Sequence, residues 1–107
     1  RLRLAGGKVV SVEWGSGGRL AAGLTDPPGA SAYYLAGLIL PETPPGGLEP
    51  ELVGRQLTAD LVVSLDGTSR PPVLELIDLR AGRRASAALT GAKVVDSLLA
   101  DLGLPPA

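Results

Sequence analysis

Lys8-Val9-Val10-Ser11-Val12-Glu13-Trp14-Gly15-Ser16-Gly17-Gly18-Arg19-Leu20-Ala21-Ala22 decides how the rest of the chain reads. An apolar, β-branched run from Lys8 to Trp14 ends at a glycine-rich turn, and a helical pattern begins at Arg19. Strand, turn and helix in that order leave backbone N–H groups unpaired at a helix start, where an anion can be held. The glycines supply the turn's backbone angles, and Ser16 stands close to the helix cap. Gly15, Ser16, Gly17 and Gly18 are therefore candidate ligand contacts. The ligand class such a turn admits is a nucleotide or another small anion.

Working outward, Arg19 to Thr25 reads as a helix with Leu20, Ala21 and Leu24 on one face. Asp26-Pro27-Pro28-Gly29 stops it, because a residue before proline is pushed away from helical angles. Ser31 is the expected cap of a short helix over Ala32 to Leu35, and Gly37 to Leu40 is a second short strand. The proline-rich segment Pro41 to Pro50 reads as loop. A helix follows from Pro50 to Leu57, with proline in its first turn. Asp60 to Leu65 is a third strand with Leu61, Val62 and Val63 inside. Asp66 to Pro71 is a turn, and Val73 to Leu79 alternates as a fourth strand. Arg80 to Arg83 closes a hairpin into a fifth strand, Arg84 to Leu89. From Gly91 to Leu102, Val94, Val95, Leu98, Leu99 and Leu102 fall at helical spacing, with Gly103 as the terminating residue. Strand, helix, strand, helix, three strands and a helix give an α/β fold: a three-layer mixed sheet of about five strands with helices packed on it. A ligand site belongs at the carboxyl ends of the parallel strands, beside the Gly15 turn.

The chain of 107 residues has the size of a single domain, 1–107. Ten basic and eleven acidic residues leave a net charge of −1, which argues against binding nucleic acid or a membrane surface through charge. There is no run of membrane-spanning length and no signal-peptide pattern, so the default expectation is a cytoplasmic protein. The sequence has no cysteine and no histidine. A disulfide framework, a thiolate nucleophile and the commonest general base are thereby excluded, and neither metal nor cofactor is expected. From the absence of methionine, the expectation is that the chain is a piece of a longer product, with residues 1–7 the remnant of a preceding segment.

Several stretches carry a family resemblance: Val12-Glu13-Trp14-Gly15-Ser16-Gly17-Gly18, then Leu20-Ala21-Ala22-Gly23-Leu24-Thr25-Asp26, Pro28-Gly29-Ala30-Ser31-Ala32-Tyr33-Tyr34 and Gly37-Leu38-Ile39-Leu40. In this order they resemble the C-terminal domain of the competence/damage-inducible protein CinA, the nicotinamide-nucleotide amidase family. That family has a strand ending in Ala-Glu-Ser-Cys-Thr-Gly-Gly, then Leu-Leu-Ala-Ala-Ala-Leu-Thr-Asp, Pro-Gly-Ser-Ser-Ala-Tyr-Phe and Gly-Gly-Val-Val. Ala59 to Gly67 is similar to the family's strand ending at a glycine, and Pro72-Val73 to the start of its next strand. Thr90-Gly91-Ala92-Lys93 stands where the family has Ser-Gly-Asp-Arg.

The resemblance implies a serine amidase ancestry, with Glu13 and Gly67 added to the ligand-binding candidates, and a homo-oligomer. An exposed strand edge would supply the contact. The departures fall on the chemistry. Trp14 stands at the position of the nucleophilic serine. The family's Tyr-Ser-Asn-Glu-Ala-Lys motif is replaced by Pro41-Glu42-Thr43-Pro44-Pro45-Gly46. A helix and loop are missing between Gly46 and Ala59, and the ligand loop after Gly67 is shortened. An activated nucleophile needs a hydroxyl with a neighbouring base. The expectation is a non-catalytic binding, regulatory or assembly module. The alternative is a carboxamide amidohydrolase using Ser16, with Lys8, Lys93 or Glu13 as helper. Trp14 either fills the vacated space or stacks on a ligand ring, and filling is the expected role. Glu13 either binds a ligand hydroxyl or caps the helix start. One of Tyr33 and Tyr34 belongs in the core, and Arg80, Arg83 and Arg84 form a solvated hairpin tip.

Overall fold

The computed structural model describes residues 7–26, 29–43, 46, 49–90 and 94–101. The apolar run forms β1, Val9–Trp14, and the glycine turn leads into α1, Arg19–Thr25. A single 3-10 turn, Ala30–Ala32, precedes β2, Tyr34–Leu40. Then come α2, Pro50–Gln56; β3, Leu61–Asp66; β4, Val73–Asp78; β5, Arg83–Ala88; and α3, Val94–Asp101. The five strands form one sheet in the order β2-β1-β3-β4-β5. β1 runs parallel to both β2 and β3, and the β3-β4-β5 pairs are antiparallel.

The topology explains the layers. From β1 the chain moves to one neighbour, and from β2 it crosses back over β1 to the other. Two right-handed crossovers in opposite directions must lie on opposite faces. Accordingly Leu20 and Leu24 of α1 pack with Val94 of α3 against Val9, Leu61, Val63, Leu65, Leu74 and Leu76. On the other face Val53 of α2 packs with Val10, Val12, Val62 and Ile77. β1 and β3 lie at the centre and are buried on both faces, so they read as continuous apolar runs. α2 comes down onto β3 through a glycine: a Cβ at Gly54 would sit 2.2 Å from Val62 Cγ2. The expected α/β architecture is the one observed. Among the described residues no helix is long and apolar enough to cross a membrane.

Three local readings are corrected. Ser31 does not cap a helix reaching Leu35. Gly29, with φ 82°, precedes only the Ala30–Ala32 turn, and β2 already begins at Tyr34 rather than Gly37. The strand extends because Val9 N–H donates to the Tyr33 carbonyl, and because the Tyr34 hydroxyl meets the buried Ser11 Oγ at 2.7 Å. Of the two tyrosines, Tyr33 is the core residue and Tyr34 is half-buried, as expected. The hairpin arginines are not simply solvated: Arg80 Nε donates to Asp60 at 2.8 Å, and Arg84 is paired with Glu51 and Glu75. The apolar face expected at Val95, Leu98, Leu99 and Leu102 lies outside the described side chains, and Gly91, Lys93 and Gly103 lie outside the described residues.

Candidate functional site

The strand order reverses at β1: the chain leaves it toward β2, and β3 lies on its other side. Open α/β sheets place their ligand crevice at such a point, outside the carboxyl ends of the strands. Here those ends are Trp14 and Asp66, which are register partners, followed by Gly15 and Gly67. The two loops pack backbone against backbone. Gly67 N–H donates to the Trp14 carbonyl at 2.7 Å, and a Cβ on Gly67 would lie 2.6 Å from the Gly15 oxygen. On the other side Gly15 N–H donates to the Leu40 carbonyl. Both glycines are thus explained by close approach, and Gly15 also by its φ of 68°.

Glu13 is the most informative residue. Its side chain is fully buried on the α1 face of the sheet. Oε1 accepts from the Ser16 hydroxyl at 2.5 Å and from Leu20 N–H at 3.1 Å. Oε2 accepts from Ala21 N–H at 2.8 Å. Leu20 and Ala21 are the second and third residues of α1, whose amides a capping side chain ordinarily satisfies. The residue at the cap is Gly18, with φ 91° and no side chain to offer. The strand therefore lends the carboxylate that the cap lacks, and a negative charge meets the positive end of the helix. Of the two roles open to Glu13, the structure displays the cap. Ser16 is the only one of the turn's side chains it brings into contact with Glu13 among the described residues.

Alternation along a strand sends Trp14 to the opposite face. There it packs on the Val10-Val12-Val62 cluster, and its indole N–H is buried without a hydrogen-bond partner. Beside it runs an open groove of about 250 Å³ lined by Ser64, Asp66, Val73, Glu75 and Ser86. That volume is below the usual range for a small-molecule site. Asp66 has its oxygens committed: the Thr68 and Ser69 hydroxyls donate to it at 2.5 and 2.8 Å, and the Thr68 amide at 2.9 Å. Burial pushes its carboxyl up, but these hydrogen bonds outweigh it and hold it below the usual carboxylate range.

Of the remaining helpers, Lys8 falls away from Ser16. Lys8 stands at the far end of β1, where its Nζ donates to the Ala32 carbonyl at 2.9 Å, and Lys93 lies outside the described residues. Asp60, beside Lys8, is held low by the Arg80 guanidinium and ties the strand bottoms together: Lys8 N–H donates to its Oδ2 at 2.7 Å. Sequence reasoning missed this Asp60 clamp and the Ser11–Tyr34 pair, since neither follows a local pattern. Among the described residues no group of three or more acidic side chains is placed to hold a metal ion.

No protein-family sequence model matches the chain, and no curated protein matches it in sequence. Solved structures do match. A competence or damage-inducible protein from Enterobacter asburiae is similar at 16% identity and TM-score 0.59, over 91% of this chain and 86% of that one. A CinA superfamily protein from Enterobacter cloacae is similar at 16% identity and TM-score 0.58, over 91% and 80% of the two chains. The competence damage-inducible protein A of Klebsiella pneumoniae gives 16% identity and TM-score 0.58, over 91% and 84%. With strand order, helix placement and the glycine turn in agreement with the sequence motifs, the chain has the α/β fold of the CinA proteins.

Proposed function

We propose that this domain is a non-catalytic relative of the CinA C-terminal amidase domain, serving as a binding, regulatory or assembly module. The observation that carries the reading is the commitment of Glu13. Its two oxygens take the Ser16 hydroxyl and the Leu20 and Ala21 amides, so the chain's own carboxylate sits where an incoming anion would be held. At the matched nucleophile position an indole, packed on the opposite face, offers no attacking oxygen. On this reading Gly15, Gly17, Gly18 and Gly67 shape a turn, and any nucleotide at them competes with Glu13.

One observation favours a second reading. Ser16 is a hydroxyl beside a carboxylate at 2.5 Å, which is the pairing an activated nucleophile requires. In it, Ser16 attacks a carboxamide, its proton passes through Glu13 to the leaving nitrogen, ammonia departs, and water hydrolyses the acyl-serine to the acid.

The deciding experiment incubates the purified domain with nicotinamide mononucleotide and follows ammonia release. No release above the blank is expected. Release at an enzyme-like rate overturns the non-catalytic reading, and its loss in Ser16→Ala assigns the chemistry to Ser16. A thermal-shift comparison with the same nucleotide and with inorganic phosphate separates a binding module from a purely structural one, because a ligand bound only to the folded state raises the melting temperature.

A further inference from the structure

On the α2 face of the sheet, the strand register lines side chains up in rows. α2 lies over the row Val10, Val62 and Ile77, through Val53 and Gly54. The next row toward the carboxyl ends of β1 and β3 is Val12, Ser64, Glu75 and Ser86. The row after it holds Trp14, Asp66 and Val73. All the lining residues of the groove of about 250 Å³ come from these last two rows.

Ser64 singles the groove out. β3 is buried on both faces, and Ser64 is its one polar residue between Leu61 and Leu65. It is 4% exposed, and its hydroxyl makes no hydrogen bond among the described residues. Buried hydroxyls are ordinarily paired, and a strand face turned only to water has no need of one sunk this deep. Glu75, its partner on β4, also has acceptor capacity to spare. The one cation facing its carboxylate among the described residues is Arg84, whose Nη1 stands 3.6 Å away, beyond hydrogen-bond range, and whose Nη2 goes to Glu51. Ser64 and Ser86 flank Glu75, each one strand spacing away, about 4.8 Å.

Charge selects the ligand. Arg55 and Arg84 answer Glu51 and Glu75. Asp66 has no ion-pair partner among the described residues, and its hydrogen bonds keep it ionised at neutral pH. Thr68 and Ser69 already take its oxygens, so it gives the groove negative charge and no free acceptor. An anion is repelled here, and a neutral hydroxyl compound leaves the charge unbalanced. A divalent cation wants several free oxygens from carboxylates, and only Glu75 has them to offer. An ammonium group brings the balancing charge and three N–H donors.

We propose that this groove binds a small organic ammonium compound, its nitrogen held by the Glu75 carboxylate and the Ser64 hydroxyl with Ser86 at the rim, and its short apolar stem against Trp14 and Val73. A volume too small for a nucleotide suits such a ligand. The inference rests on the binding-module reading and gives it a ligand class, on the opposite face of the sheet from Glu13.

Trp14 is the chain's single tryptophan, so its fluorescence reports on the groove directly. Propylammonium chloride is titrated into the purified chain, with sodium chloride at equal ionic strength and 1-propanol as the uncharged isostere in parallel. A saturable change is expected with propylammonium alone, half-complete at about 1 mM, the range open to so small a ligand. Glu75→Gln is expected to raise that midpoint about tenfold or more, through the loss of a charge-assisted bond. Ser86→Ala, at an exposed position, raises it severalfold and decides the matter should Glu75→Gln not fold by circular dichroism. Asp26→Asn, which removes a negative charge at the end of α1, leaves it unchanged. A response to propylammonium no larger than that to sodium chloride overturns the proposal. So do an equal response to 1-propanol and a Glu75→Gln or Ser86→Ala that folds and binds like wild type. Ammonia release from nicotinamide mononucleotide with propylammonium binding intact overturns only the non-catalytic reading, whereas no release and no fluorescence change overturns only this site.

Discussion

Glu13→Gln keeps the side chain's shape and removes the charge that the helix start depends on. The amide has one acceptor oxygen where the carboxylate has two. If its nitrogen takes the place of Oε2, it faces the Ala21 N–H, donor against donor. If it takes the place of Oε1, it faces the Leu20 N–H, and Ser16 must reverse its hydroxyl to accept. Either way at least one charge-assisted bond is lost, worth about 1.5–3 kcal/mol where no water can replace it. Glu13 is fully buried, so no solvent enters to compensate. Losing the negative charge at the helix start adds about 0.3–1 kcal/mol. The expected destabilisation is about 2–4 kcal/mol, out of a total of roughly 5–15 for a domain. Urea unfolding followed by circular dichroism measures it. Native-state hydrogen exchange localises it, with the Leu20 and Ala21 amides exchanging faster in the variant. A loss below ~0.5 kcal/mol, the level of an ordinary surface substitution, would refute the capping role.

Three further outcomes are expected. Thr58 holds a left-handed conformation, φ 56°, at the end of α2, where Ala59 N–H closes back on the Gly54 carbonyl. Glycine fits that position without strain, so Thr58→Gly should raise the urea unfolding free energy by about 1 kcal/mol. Gly54→Ala should lower it by about 1–3 kcal/mol, because the new methyl meets Val62 Cγ2 at 2.2 Å and Leu79 Cδ1 at 2.9 Å. A neutral result there would mean that α2 rides higher over β3. Asp66 is depressed in the folded state, so the stability it gives is full above its ordinary value of 3.8 and lost as pH falls through the lower folded value. Melting temperatures from neutral pH down to about pH 3 should therefore fall less steeply in Asp66→Asn than in wild type.

What the sequence determined by itself was the order and type of the elements. β1 and β3 are buried on both faces, so their valines and leucines run without interruption, and such runs between glycines and turn residues can be recognised locally. The glycine turn was equally legible, since glycine takes without strain the positive φ angles found at Gly15, Gly17 and Gly18. The CinA-like motifs lay along that same skeleton, and the fold they implied is the one observed. The start of β2 was misread because its first residues owe their strand state to Ser11 and Val9, more than twenty positions away.

The tertiary structure alone decided what the turn's surroundings do. Glu13 and Trp14 are neighbours in sequence, but pleating puts them on opposite faces, one to cap α1 and the other to fill the α2 side. Whether Glu13 would meet a ligand or Leu20 and Ala21 depended on how α1 leans on β1. Asp60 and Glu51 likewise read as surface acids until folding brought Arg80 and Arg84 to them. A hydrogen bond or ion pair between distant residues leaves no periodicity in the chain. It exists only once packing has fixed the distance, and for that reason the scaffold could be read from the sequence while the use of its charged groups could not.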